Sequence, residues 1–251
     1  MKFLNSFKSG QQVTSVSTSK RFKSMFVDVI PPFDPSTISG LMVWYKADEG
    51  VTKDGSDLVS QWNDQSGQGN NVTQATATNK PLFVNNNRNS LPTINFDGID
   101  NFMKLTNFSG GGLVHPYYIF IACQEPTSSP VSQGFFTDDN QNDPRLRTLS
   151  GVYDMSDETD LSGGTTDPSV WHYYTCFFNG VSSDLRRDGT SILSGNSGSG
   201  GTSFNGLTIG ALSAPSNFAN MQYGEFLIYN VNIGATDRDL VEGYLANKWD
   251  I

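Results

Sequence analysis

The sequence predicts an all-β fold, and three observations carry that prediction. The 251 residues include 25 Gly and 11 Pro. Only 16% are charged while 12% are aromatic. Short apolar runs recur along the chain with turn signals between them. This mix suits many short strands joined by tight turns, and sandwiches of about 200–250 residues are commonly single domains. Nothing in the sequence argues for a second core.

The first segment is a basic arm. Residues 1–27 hold Lys2, Lys8, Lys20, Arg21 and Lys23 and no acid. With those five of the 16 basic residues set aside, the remaining 11 face all 25 acids, a balance of −14. Sign segregation of this kind marks a partner-binding arm, and the acidic body argues against nucleic acid as the ligand. The arm ends on the apolar patch MFVDVI, which contains Phe26. PPFDPSTIS then forms an extended linker, because the residue before each proline is held out of helical geometry. Residues 1–35 are therefore expected as arm and linker, and 36–251 as the folded domain.

Strand-like runs follow at 41–47, 57–62, 92–97, 101–106, 115–124, 134–137, 144–150, 170–178, 184–193, 205–212 and 221–230. Some alternate, as in MQYGEFLIYN, and others are continuous, as in YYIFIAC. One face exposed in outer strands and both covered in central ones would produce the two kinds, and two antiparallel sheets packed face to face accommodate them. In SQWNDQSGQGNN (60–71), Asp64, Gly67 and Gly69 supply the backbone bonding and positive φ of a tight return, so Trp62 reads as a packed plug. A closing helix is expected in ATDRDLVEGYLANKWDI, with Thr236 as N-cap, Asp239 three residues on, and a stripe of Leu240, Val241, Tyr244, Leu245 and Trp249 packed on the sandwich edge.

The segments ISGLMVWYKADEGV, SQWNDQSGQGNNVTQ, KPLFV, LPTINFDGIDNFM, YYIFIAC, WHYYTCFFNG, RRDGT, LTIGA, GEFLIYN and LVEGYLANKWDI occur in an order that resembles the LamG-like jelly-roll domains of the concanavalin A-like lectin/glucanase superfamily. The resemblance covers about residues 36–251. It implies a two-sheet antiparallel jelly-roll sandwich, binding of glycans or protein partners at loop rims, and Ca²⁺ in some members. It also points to bacterial surface proteins and phage virion proteins, where such domains are widespread. Fold does not fix function, so each site is weighed on its residues.

Glycoside hydrolysis needs two flanking carboxylates. The glucanase branch of the family carries them as Glu-x-Asp-x-x-Glu, and here Glu158-Thr159-Asp160 is followed by Gly163 where the second Glu would stand, in a stretch, DMSDETDLSGG, that reads as a loop. No nucleophile-elbow pattern surrounds a serine, and His115 and His172 stand apart from any zinc-type cluster, so structural roles are expected for both. No enzyme and no required cofactor are expected. Cys123 and Cys176 lie in apolar runs and read as buried free thiols.

Calcium is the candidate metal, with Asp138, Asp139, Asn140 and Asp143 of TDDNQND as the better ligand set. The alternative is that these are solvated turn formers. Phe108, Tyr153 and Phe218 are the loop aromatics expected to contact a glycan. The start of the chain lacks the apolar core of a signal peptide, and no run approaches the length of a membrane helix, so neither export by that route nor a membrane partner is expected. The expected function is a non-enzymatic virion structural protein on the particle's exterior. Lys2, Lys8, Lys20, Arg21, Lys23 and Phe26 would dock on capsid or tail proteins, with a trimer of the chain and a cell-surface glycan as further candidate partners. The alternative is an extracellular carbohydrate-binding module.

Overall fold

The computed structural model describes residues 33–125, 132–139, 143–200, 204–213 and 215–251. The arm residues Lys2 to Phe26 and Asn140 lie outside the described residues. Asp34–Ile251 forms one compact unit.

Two antiparallel sheets make up that unit. The first contains, in spatial order, β15 (Thr190–Gly195), β14 (Ser183–Arg187), β13 (Trp171–Phe178), β8 (Tyr117–Gln124), β17 (Asn220–Tyr229), β6 (Leu91–Asp97) and β5 (Leu82–Arg88), with β1 (Leu41–Lys46) paired to the second half of β17. The second runs β12 (Asp160–Gly163), β11 (Val152–Ser156), β10 (Arg145–Leu149), β9 (Gln133–Thr137), β16 (Leu207–Ile209), β7 (Met103–Leu105), β4 (Val72–Thr73), β3 (Val59–Trp62) and β2 (Val51–Lys53). Helix α1 (Gly234–Trp249) packs against β8 and β13.

Alternation along each strand decides what faces the other sheet. Tyr45 and Phe226 of the first sheet meet Trp62 and Phe136 of the second, with ring centroids 5.3 Å and 5.8 Å apart. Tyr174 packs edge-on against Phe135 and Tyr153. Trp62 is fully buried and its indole N–H donates to the Lys46 carbonyl at 2.8 Å, so it is a plug, as its loop predicts. Asp64 organises that loop: its carboxylate accepts from the backbone N–H of Trp44, Ser66 and Asn70 at 2.9–3.0 Å.

The centre of the first sheet is covered on both faces, and α1 covers the outer one over β8 and β13. Every residue of β8 up to Cys123 is buried, as its continuous apolar run predicts. The alternating run MQYGEFLIYN is also buried from Tyr223 to Tyr229, where exposure of one face was expected. Its polar member, Glu225, is the reason. The carboxylate accepts from Trp44 Nε1 at 2.5 Å and Tyr244 OH at 2.7 Å through one oxygen, and from Trp249 Nε1 at 3.0 Å and Lys248 Nζ at 2.9 Å through the other. A buried charge is tolerated when paired and fully hydrogen-bonded. Burial, with the Glu225 charge adding to it, pushes the Tyr244 hydroxyl well above its ordinary range. Gly224 lets the Trp249 ring rest on the backbone of β17, since a Cβ there would lie 2.6 Å from the ring.

The helix differs from its expectation in three ways. It starts at Gly234, so Thr236 lies inside it, and Asn232 Oδ1 takes the Gly234 N–H at 2.9 Å instead. Its buried stripe is Val241, Leu245 and Trp249, with Leu240 turned to solvent and Glu242 buried against Thr175 and Arg186 at 2.8 and 2.9 Å. It lies on the sheet face rather than the sandwich edge. Its last carbonyls, orphaned by the helix geometry, are met by the β5–β6 turn: Arg88 donates to the Trp249 and Asp250 carbonyls and Asn89 to that of Lys248. Asn89 and Ser90 both have positive φ, as a two-residue hairpin turn of the primed type requires.

Glu225→Ala should destabilise the domain by about 3–5 kcal/mol in urea denaturation, because it leaves two buried indole N–H groups without their acceptor and takes from Lys248 one of its two carboxylate partners. Lys53→Ala, which removes an exposed pair with Asp57, should cost less than about 1 kcal/mol.

Candidate functional site

A pocket of about 510 Å³ opens where the β5–β6 end of the first sheet meets β3 of the second. Asn95 and Asp97 of β6 line it, standing two residues apart on the strand that buries Ile94 and Phe96 on its opposite side. Asn220 faces Asp97 across the β17–β6 ladder, and Leu82 faces Asn95 across the β5–β6 ladder. Thr78 and Lys80 come from a 3-10 turn at Ala77–Asn79. That turn is tied to the β6–β7 connection: Asn79 Nδ2 donates to the Asp100 carbonyl at 2.8 Å, and the Phe102 N–H to the Asn79 carbonyl at 3.2 Å. Leu58, bridged to Leu82, closes the other wall.

The polar groups are oriented before any ligand arrives. Asn87 Nδ2 donates to Thr93 Oγ1 at 2.7 Å and to Gln222 Oε1 at 2.6 Å. With its lone pair taken, Thr93 donates to Asn95 Oδ1 at 2.7 Å. Asn95 therefore has its oxygen occupied and its NH₂ left to donate. Asp97 Oδ1 accepts from the N–H groups of Ile99 and Asp100 at 2.8 and 3.3 Å, which leaves Oδ2 to accept. Gly98 turns the chain beside it with φ +75°, and a Cβ there would sit 2.9 Å from Asn220 Cβ. A donor, an acceptor and an amide that does both thus line a wall shared with Leu58 and Leu82. Such a surface hydrogen-bonds hydroxyls and packs against C–H groups.

The sequence-expected aromatics divide. Phe108 is 4% exposed and lies edge-on to Phe204 at 5.2 Å; Tyr153 is fully buried, its hydroxyl donating to Glu125 at 2.7 Å. Neither offers a ring face to a sugar. The loop reading of Tyr153 failed because DMSDETDLSGG forms the β11–β12 hairpin, with Asp154 neutralised by Arg147 at 2.7 Å and Arg145 at 3.5 Å from β10. Phe218 remains half-exposed, two residues before Asn220, and tilts onto Phe102 at 6.4 Å.

The calcium ligand set is not assembled by the residues described. Asp138 Oδ2 accepts from the Asn205 and Gly206 N–H groups at 2.7 and 3.2 Å, Asp139 pairs with Lys104, and Asp143 pairs with Arg145 at 2.5 Å. Among the described residues no three His, Cys, Asp or Glu side chains are placed to hold a metal ion. The histidines hold structure: His115 Nδ1 accepts from the Gly180 N–H at 3.2 Å while Nε2 lies 2.5 Å from Asp157, and His172 Nδ1 lies 2.6 Å from Asp188. Cys123 and Cys176 are free and buried, and burial pushes both thiols up. Among the described residues no helix is long and apolar enough to cross a membrane.

No family model matches the chain, and no curated protein matches it. Solved structures do share the fold. The Trypanosoma rangeli sialidase in complex with sialic acid is 11% identical with a TM-score of 0.55, over 83% of this chain and 33% of that one. The binding domain of Paraclostridial Mosquitocidal Protein 1 is 14% identical with a TM-score of 0.57, over 86% and 53%. The botulinum neurotoxin serotype D ligand-binding domain, solved with N-acetylneuraminic acid, is 11% identical with a TM-score of 0.58, over 83% and 52%. The chain thus spans a third to about half the length of these proteins, and the likeness establishes a jelly-roll sandwich.

Thermal unfolding in EGTA and in excess calcium should give the same midpoint, because Asp138, Asp139 and Asp143 are each engaged by protein donors. A rise of several degrees on adding calcium would restore the metal reading.

Proposed function

We propose that this chain is a non-catalytic, lectin-like module of the LamG type that binds a glycan in the pocket formed by Asn95, Asp97, Asn220 and Thr78. One observation carries this reading: the Asn87–Thr93–Asn95 relay fixes an amide donor beside a half-committed carboxylate, a preorganised pair for neighbouring hydroxyls. Preorganisation lowers the cost of binding. The pocket lining holds a single carboxylate, Asp97, whereas glycoside hydrolysis calls for two, so binding rather than cleavage is its chemistry. The solved neighbours include a sialidase and a toxin domain that hold sialic acid, which is consistent with glycan recognition on this fold. Phe218, two residues before Asn220, is the nearest of the sequence-expected aromatics along the chain. An extracellular or particle-exterior setting suits such a ligand.

A glycan array followed by titration calorimetry tests the reading. Asn95→Ala and Asp97→Ala should each weaken binding about 10- to 100-fold with unchanged far-UV circular dichroism, the loss of one neutral or charge-assisted hydrogen bond. Phe218→Ala should weaken it less. Undiminished binding in both polar variants would place the site elsewhere.

Display on a virion is the second reading, carried by the acid-free run of Lys2, Lys8, Lys20, Arg21 and Lys23 ahead of an acidic body. Deletion of residues 1–30 should abolish incorporation into particles while leaving Asp34–Ile251 folded. Incorporation of the truncated protein would end the anchoring idea.

A further inference from the structure

We infer that the pocket selects neutral glycans and rejects sialylated or otherwise anionic ones, an inference that rests on the glycan reading of that pocket. The charges around it decide the sign. Lys80 is the one cation among its lining residues, and its ammonium faces Asp54 Oδ2 at 3.9 Å. Asp97 stands on the wall with Oδ2 uncommitted among the described residues. Asp100, three residues along, adds a third carboxylate, its Oδ1 3.3 Å from Asn101 Nδ2. The lining and the residues bonded to it thus carry three carboxylates and one ammonium. The chain after residue 27 adds a balance of −14.

Recognition of a sugar carboxylate calls for an arginine fork or an uncommitted ammonium. The described lining holds no arginine, and its one ammonium, Lys80, already faces the Asp54 carboxylate at 3.9 Å. Among the groups a ligand can meet there stand the Asn95 NH₂, the Asn220 amide and Asp97 Oδ2. A hydroxyl can accept from the first while donating to the last, whereas a carboxylate can only accept and would meet Asp97 as a like charge. The preference therefore has two physical sources, hydrogen-bond polarity and charge repulsion.

The experiment uses the full chain against pairs of array glycans, each presented with its terminal sialic acid and again after desialylation, at low and high NaCl. The neutral member should bind at least about tenfold tighter, which corresponds to about 1.4 kcal/mol. The gap should narrow as salt rises, because screening weakens only the repulsion. Equal or tighter binding of the sialylated member overturns this inference and leaves glycan binding standing. A preference that ignores salt overturns its electrostatic basis. No binding to either member overturns the pocket reading itself.

Discussion

The structure turns on one buried carboxylate. Glu225 sits in β17, between the sheet and the helix, and gathers a donor from β1 and three from α1. Two indoles would otherwise be buried with nothing to bond, and the carboxylate would be buried without a counter-charge. Each group is acceptable only because the others are present, so the helix has one seat on the sheet rather than a range of greasy ones. Arg88 and Asn89 then meet the carbonyls at the helix's end, which fixes the β5–β6 turn. The Asn87–Thr93–Asn95 relay springs from that hairpin. Helix seating and pocket polarity thus meet in the β5–β6 hairpin.

Polar burial recurs in the same style elsewhere. Glu125 accepts from the hydroxyls of Tyr153 and Tyr174 and from the Asp167 N–H, at 2.7–2.8 Å. Burial raises both phenols well above their usual range, so they stay protonated and remain donors. Asp154 is shared by two arginines of the neighbouring strand. These carboxylates work inside the sandwich, where each is satisfied by groups fixed in the sheet ladders, and they account for part of an acid excess that composition alone assigns to the surface.

The fold was legible in the sequence because its signals are local. Continuous YYIFIAC, the Trp62 loop and the closing helix each follow from periodicity or turn chemistry within a dozen residues, and the structure places strands on all eleven of the runs expected. The run 184–193 holds two strands, β14 and β15, the short β2 and β4 were not expected, and two larger misses share a cause. β5 and the β11–β12 hairpin carry Asn, Asp and Ser at positions whose polarity is cancelled by a partner strand, as Asp154 is by Arg147, and a single-strand pattern cannot show the partner. The pocket is less legible still. Leu58, Thr78, Asn95 and Asn220 come from four distant segments, none of which looks unusual alone, and the aromatics that did look unusual turned inward. Only Phe218, beside Asn220, gave a signal in the right neighbourhood.

The pairing of β1 with β17 has a consequence for biogenesis. Trp44 and Glu225 are 181 residues apart in sequence, and β1 is joined to the sheet through β17 alone. At about 5–20 residues per second, a ribosome takes on the order of 10–40 s to deliver the second strand after the first. Through that interval Val43, Trp44 and Tyr45 have no ladder to join. The nascent chain must carry its first strand as an unpaired hydrophobic edge until β17 has been made, and this gives a chaperone a defined window and a defined segment on which to act.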